Sequence, residues 1–194
     1  MNRLTSIIFD LDGTLTEPQL DFDQIRREIG LPGELPILEE LAAGDQVLRA
    51  RGEPILRRHE REAMEKATLA DGCRELLALL GARGIPAGIL TRNTRDIVEL
   101  FCRTFGFVFQ SVWTRDDGPP KPSPVGALAL CHRLGTAPGE TLVVGDYKFD
   151  IMSGRDAGCR TALVVPEPPA DLAGWGSPDL VVRSLRELLT LWDS

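Results

Sequence analysis

The sequence predicts an α/β fold: a doubly wound, Rossmann-like parallel sheet interrupted by a small helical insert. Three observations predict it. Short apolar runs ending in polar residues recur along the chain, among them "LTSIIFDL", "GIPAGIL" and "TLVVGD". Stretches with helical spacing and glycine stops separate most of them. Between Glu17 and Ala70 the alternation lapses, and helical patterns follow one another with no convincing strand. Strands alternating with helices read as a parallel sheet whose two faces are both covered.

The elements follow in order. Leu4 to Leu11 is the first buried strand; "MNRLTSIIFD" has neither an apolar h-region nor a small-residue cleavage site, so it reads as a strand and not a leader. "DFDQIRREIG", "ELPILEELAAG" and "PILRRHEREAMEKA" supply the helices of the insert. "DGCRELLALLGARG" is a helix with a glycine stop, and Gly84 to Leu90 the next strand. "NTRDIVELFCRTFG" is a helix with Thr94 as N-cap and Gly106 as stop, before a strand at Phe107 to Trp113. "SPVGALALCHRLG" has Pro124 at a helix start and precedes the strand Thr141 to Asp146. "KFDIMSGRDAG" is a helix ending at Gly158, followed by a strand at Thr161 to Val165. Pro166 to Pro178, rich in Pro and Gly, is a surface loop, with a short strand at Asp179 to Val182 and a helix at Ser184 to Trp192 beyond it. The core domain is then 1–16 with 71–194, and the helical subdomain 17–70.

The chain has 194 residues, 43% of them hydrophobic, which suits one globular domain with a small insert. No run reaches the roughly 18 to 20 apolar residues of a membrane span. A net charge of −7 makes a poor general binder of nucleic acid or of an anionic membrane. It leaves room for a small anionic substrate at a local site of opposite charge. Cys73, Cys102, Cys131 and Cys159 form no CxxC pair, and only His59 and His132 could join them, so no zinc site is expected. They fit the reduced thiols of a cytoplasmic protein.

In open α/β sheets, ligands bind beyond the carboxyl ends of the strands. Four places there carry reactive or charged residues. Asp10 and Asp12 end the first strand one residue apart, in "FDLDGT". Such close like charges repel unless a cation or a shared proton relieves them; Mg²⁺ suits oxygen ligands, and an Asx-type turn is the alternative. Thr91 ends "AGILT", where its hydroxyl and the N–H groups that follow suit a phosphate or a helix cap. Lys121, in "GPPKPSP", is a lysine stiffened by prolines, placed for phosphate and carboxylates or else solvated. Asp146 and Asp150, in "LVVGDYKFD", end another apolar run and open a helix, where acids also serve as caps.

The order of these signals resembles the haloacid dehalogenase superfamily over nearly the whole chain. That family's pattern is DxDx[TV], Ser/Thr, Lys and GDxxxD; here it is "DLDGT", "ILT", "KPSP" and "GDYKFD", with Lys121 and Asp146 25 positions apart. The resemblance implies that Asp10 attacks phosphorus and that Asp12 protonates the leaving oxygen and then activates water. It implies that Thr91 and Lys121 hold the phosphoryl group, with the backbone N–H groups of Arg92 and Asn93 nearby. Mg²⁺ would be bound by the Asp10 side chain, the Asp12 carbonyl and Asp146, with Asp150 in support. Dehalogenases lack the second acid, so Asp12 favours a phosphate ester, whose leaving alkoxide needs a proton. The expectation is a Mg²⁺-dependent phosphatase acting on a small phosphorylated metabolite, similar to phosphoglycolate phosphatase-like proteins. A sugar phosphomutase of the β-phosphoglucomutase kind shares all four motifs, and a non-catalytic phospholigand binder is a third reading. The insert lies where the family places a helical cap that helps choose the substrate. Its Arg49, Arg51, Arg57, Arg58 and Arg61 read best as a solvated face interleaved with Glu53, Glu60, Glu62 and Glu65.

Overall fold

The structure is a computed structural model that describes residues 4–33 and 35–192. The described chain divides into two compact units, residues 1–18 with 68–194, and residues 19–67.

The first unit is built on a six-stranded, all-parallel sheet. Its strands are β1 (Ser6–Phe9), β2 (Ala87–Leu90), β3 (Ser111–Trp113), β4 (Thr141–Gly145), β5 (Arg160–Val164) and β6 (Leu180–Val182). Their order is β3-β2-β1-β4-β5-β6, so the chain winds outward to one side from β1 and then to the other from β4. That reversal is the switch point of a doubly wound sheet. It matches the predicted fold class. Every residue of β1, β2 and β4 is buried, which explains why these strands read as continuous apolar runs and not as alternating ones.

Helices α4 (Cys73–Ala82), α5 (Arg95–Phe105), α6 (Val125–Leu134) and α7 (Lys148–Asp156) connect the strands, numbered after the three of the second unit. On one face Leu130 and Cys131 of α6 pack with Ile8, Leu90 and Val143 of the sheet.

Two elements of this unit differ from the sequence reading. The run Phe107 to Trp113 is strand only from Ser111. Its first part closes α5: Gly106 takes the left-handed conformation, and the Gly106 and Phe107 N–H groups both donate to the Cys102 carbonyl. The rings of Phe105, Phe107 and Phe109 then gather on buried Phe101, at centroid distances of 5.3, 5.8 and 6.4 Å. An aromatic-rich apolar run looks like a strand whether it pairs with a sheet or folds back on a helix. The C-terminal helix, Leu185–Trp192, is 3₁₀ and not α; it buries Leu185, Leu188 and Trp192.

The second unit consists of α1 (Phe22–Ile29), α2 (Ile37–Ala43) and α3 (Gln46–Glu65). Ile25 and Ile29 of α1, Ile37 and Leu41 of α2 and Leu56 of α3 form its own apolar cluster. Helix α3 is longer than its sequence pattern: Asp45 caps its start by accepting from the Leu48 N–H at 2.8 Å, and Pro54 lies inside it. Arg57 pairs with Glu53, and Arg58 with Glu62 and Glu28, on exposed surface of this unit.

Candidate active site

The sheet register brings strand ends together. Phe9 of β1 lies opposite Val144 of β4, and the Asp10 N–H donates to the Val144 carbonyl at 2.8 Å. Asp10 directly follows Phe9, and Asp146 follows Gly145 at the end of β4, so both leave the sheet at the switch point, where neighbouring strands are about 4.8 Å apart. Asp150 follows in the first turn of α7 and faces the same place. One carboxylate oxygen from each of Asp10, Asp146 and Asp150 lies within 4.8 Å of the others.

Two glycines make room for this crowding. Gly13 turns the chain away from the sheet at φ 77°, and a Cβ there would stand 2.4 Å from the Asp146 carboxylate. A Cβ on Gly145 would stand 2.1 Å from the Asp150 carboxyl carbon. Thr14, in the same "DLDGT" stretch, donates its hydroxyl to Asp146 at 3.3 Å.

Lys121 is almost fully buried, and its ammonium lies between two of the acids, 2.6 Å from Asp10 and 2.5 Å from Asp150. The other Asp150 oxygen accepts from the Tyr147 N–H at 3.0 Å, which locks the carboxylate to the start of α7. The sequence reading that offered a solvated lysine or plain acidic caps is set aside for these residues. Asp150 does cap the helix, but with one oxygen only.

The loop after β2 supplies the rest. The Thr91 N–H donates to the Trp113 carbonyl, which ties the loop to β3. The Thr91 hydroxyl accepts from the Asn93 N–H at 3.1 Å, so in this state one of the N–H groups expected near a phosphate is turned onto the threonine. The Asn93 side-chain amide donates to the Asp12 carboxylate. Arg92 donates to the Lys121 main-chain carbonyl. Thr94 occupies the N-cap position of α5, yet its hydroxyl donates to Asp96 and caps no helix N–H. The Asp12 side chain is thus drawn to Asn93 and stands outside the three-carboxylate group. Sequence reasoning missed the Asn93–Asp12 pair, because residues 81 positions apart meet only through the fold. It also passed over Thr14, although the "DLDGT" stretch had singled out its position.

The electrostatics follow from this packing. Burial pushes the Asp10 carboxyl well above its usual range; Lys121 pulls it back, and the Asp150 and Asp146 charges push it up again. Burial also raises Asp12, against the Asn93 hydrogen bond and Lys121. Asp146 is pushed up to about 7 by burial and then by Asp150. Burial works against the charge on Lys121, but Asp10 and Asp150 outweigh it and hold the ammonium above its ordinary value. Three carboxylates face one ammonium, so the cluster's own residues do not balance its charge. A hard divalent cation fits such an all-oxygen donor set. No helix among the described residues is long and apolar enough to cross a membrane.

Comparisons with known proteins agree with this arrangement. Residues 16–164 match the model of the haloacid dehalogenase-like hydrolase family. The chain is 31% identical to the N-acetylmuramic acid 6-phosphate phosphatase of Pseudomonas aeruginosa, over 98% of this chain and 96% of that one. It is 32% identical to the pyrophosphatase PpaX of Bacillus velezensis, over 96% and 95%. The crystal structure of a hydrolase from Pseudomonas syringae superposes with a TM-score of 0.82 at 21% identity, covering 96% of each chain, a likeness of fold. With the family model spanning most of the chain and relatives above 30% identity matching nearly end to end, the chain belongs to the haloacid dehalogenase-like hydrolase family.

Proposed function

We propose that this protein is a Mg²⁺-dependent phosphatase that hydrolyses a small phosphorylated metabolite through an aspartyl-phosphate on Asp10. The observation that carries the reading is the buried Lys121 ammonium set between Asp10 and Asp150, with Asp146 beside them. Phosphoryl transfer asks mainly for positioning and charge neutralisation, and this cluster is organised for both.

In the proposed reaction an Asp10 oxygen attacks phosphorus and the bond to the leaving oxygen breaks. Asp12 gives that oxygen its proton. Burial raises the Asp12 pKa, the direction that suits a proton donor. Asp12, now ionised, takes a proton from water as the water oxygen attacks the phosphorus of the aspartyl-phosphate. Orthophosphate departs and the Asp10 carboxylate is restored. Thr91, the N–H groups of Arg92 and Asn93, and Lys121 hold the transferring group. Asp10, the Asp12 carbonyl and Asp146 would hold Mg²⁺, with Asp150 in support. The bound cation would supply charge neutralisation for the phosphoryl oxygens. The 19–67 unit is read as the substrate-selecting cap.

Two relatives named for different phosphorylated substrates, a sugar acid phosphate and pyrophosphate, support a phosphatase without choosing the substrate. The test is a panel of phosphate monoesters and pyrophosphate with and without Mg²⁺. Orthophosphate should appear free in solution only with the cation, and Asp10→Asn should abolish it while the fold persists. Phosphate moved between positions of a sugar would identify a mutase instead. Full activity in Asp10→Asn would remove Asp10 as nucleophile.

A further inference from the structure

We infer that the Arg92 side chain is a positioning residue that fixes the Lys121 ammonium by holding the Lys121 main chain against α7. The inference rests on the phosphatase reading for its kinetic consequence, but its structural content stands apart from it.

Arg92 follows Thr91 in the loop after β2. Two contacts of its guanidinium bear on Lys121. It donates to the Lys121 carbonyl, and it lies over the Phe149 ring at 5.0 Å from the centroid. Phe149 immediately precedes Asp150, one of the two carboxylates that take the Lys121 ammonium. The contacts therefore close a ring: Arg92 to the Lys121 main chain, Lys121 Nζ to Asp150, Asp150 through α7 to Phe149, and Phe149 back to Arg92. Segments that follow three different strands meet in it: the loops after β2 and β3, and the first turn of α7 after β4. Arg115 braces the Arg92 main chain by donating to its carbonyl at 3.0 Å.

The Lys121 loop gains from such a tether beside the one that Ser153 of α7 gives it by donating to the Ser123 carbonyl at 2.8 Å. Pro119, Pro120 and Pro122 flank the lysine and carry no N–H, so the segment "PPKP" can anchor itself through few main-chain donors. Its carbonyls are what it can offer, and the Lys121 carbonyl is taken by a charged donor, the stronger kind of hydrogen bond. A lysine side chain is a flexible four-carbon stem, so the place of its ammonium depends on where its main chain is held. Arginine suits this task better than lysine: its planar fork can donate in the plane while its face stacks on an aromatic ring. The neighbouring residue does a parallel job, since Asn93 donates to Asp12. In "TRN" the threonine offers the phosphate-facing hydroxyl, and the next two side chains each hold a residue of the reaction.

The experiment compares wild type, Arg92→Ala, Arg92→Lys and Phe149→Leu, with Lys121→Ala and the double variant Arg92→Ala/Lys121→Ala. A misplacement of a catalytic group by about 1 Å costs on the order of 100-fold. Arg92→Ala should lower kcat about 10- to 100-fold, and Arg92→Lys should restore part of the loss. Inorganic phosphate binding should weaken in Arg92→Ala, yet be the same in Lys121→Ala and in the double variant, because Arg92 acts through Lys121. In a crystal structure of Arg92→Ala, or of Phe149→Leu should the first not fold, Lys121 Nζ should leave ion-pair range of Asp10 or Asp150, about 4 Å. A wild-type kcat in Arg92→Ala, additive phosphate-binding losses, or an unmoved ammonium would each overturn the inference. Absence of phosphate release by wild type would sink the phosphatase reading alone and leave the inference to the crystallographic arm.

Discussion

At the scale of single residues, the site depends as much on atoms left out as on charges put in. Gly145 ends β4 against the Asp150 carboxyl, which a Cβ would approach to 2.1 Å. No rotamer can relieve that contact without moving Asp150 off Lys121. Gly145→Ala should cost about 1–3 kcal/mol of stability from overpacking. It should also abolish turnover, whereas a neutral effect on both in thermal melts and assays would contradict the geometry. Gly13 is tied twice, by its positive φ and by its 2.4 Å approach to Asp146. The sequence shows both as glycines beside acids. It does not announce that the room they leave is for the carboxylates of Asp146 and Asp150.

At the scale of elements, the strand ends were legible and the side-chain crossings were not. Asp10, Thr91 and Asp146 each follow a buried apolar run, and a doubly wound sheet sends all such ends to one edge. Polar residues at those ends are therefore brought together by topology alone. Lys121 follows no strand directly, and only its order among the motifs marked it. The aim of Arg92 toward Lys121 and Phe149, and of Asn93 toward Asp12, depends on rotamers and on loops that meet late in the fold. The reading of Phe107 to Trp113 holds only from Ser111, for a related reason. Its phenylalanines pack on Phe101 of α5, and an apolar run does not state its partner. Phe101 is fully buried at the centre of this aromatic group. Phe101→Ala should destabilise the protein by about 3–5 kcal/mol in denaturant unfolding, and a loss below about 1 kcal/mol would show that the group is not a packing centre.

At the scale of the whole molecule, an acidic chain places the buried Lys121 among three clustered acids. That arrangement links stability to pH and to cation. Burial and Asp150 hold Asp146 up to about 7, and Asp10 is raised as well, against about 4 for an unfolded carboxyl. Between these values the folded state keeps more protons than the unfolded one, so stability falls as pH rises. Without divalent cation, this cluster's contribution should decline from about pH 4 to about 7. Mg²⁺ should therefore raise Tm more at pH 8 than at pH 5.5, and Asp146→Asn should flatten that difference. An equal Mg²⁺ effect at both pH values would mean that the carboxylates are not the cation's ligands. The family assignment makes hydrolase chemistry the frame for these effects, and the nucleophile is the claim on which the rest turns. The most direct test quenches a single turnover of a substrate from the panel, carrying radiolabelled phosphate, and maps the labelled peptide. The account requires a transient label on the peptide bearing Asp10, absent from Asp10→Asn. Phosphate release with no labelled protein, or label on another residue, would contradict it.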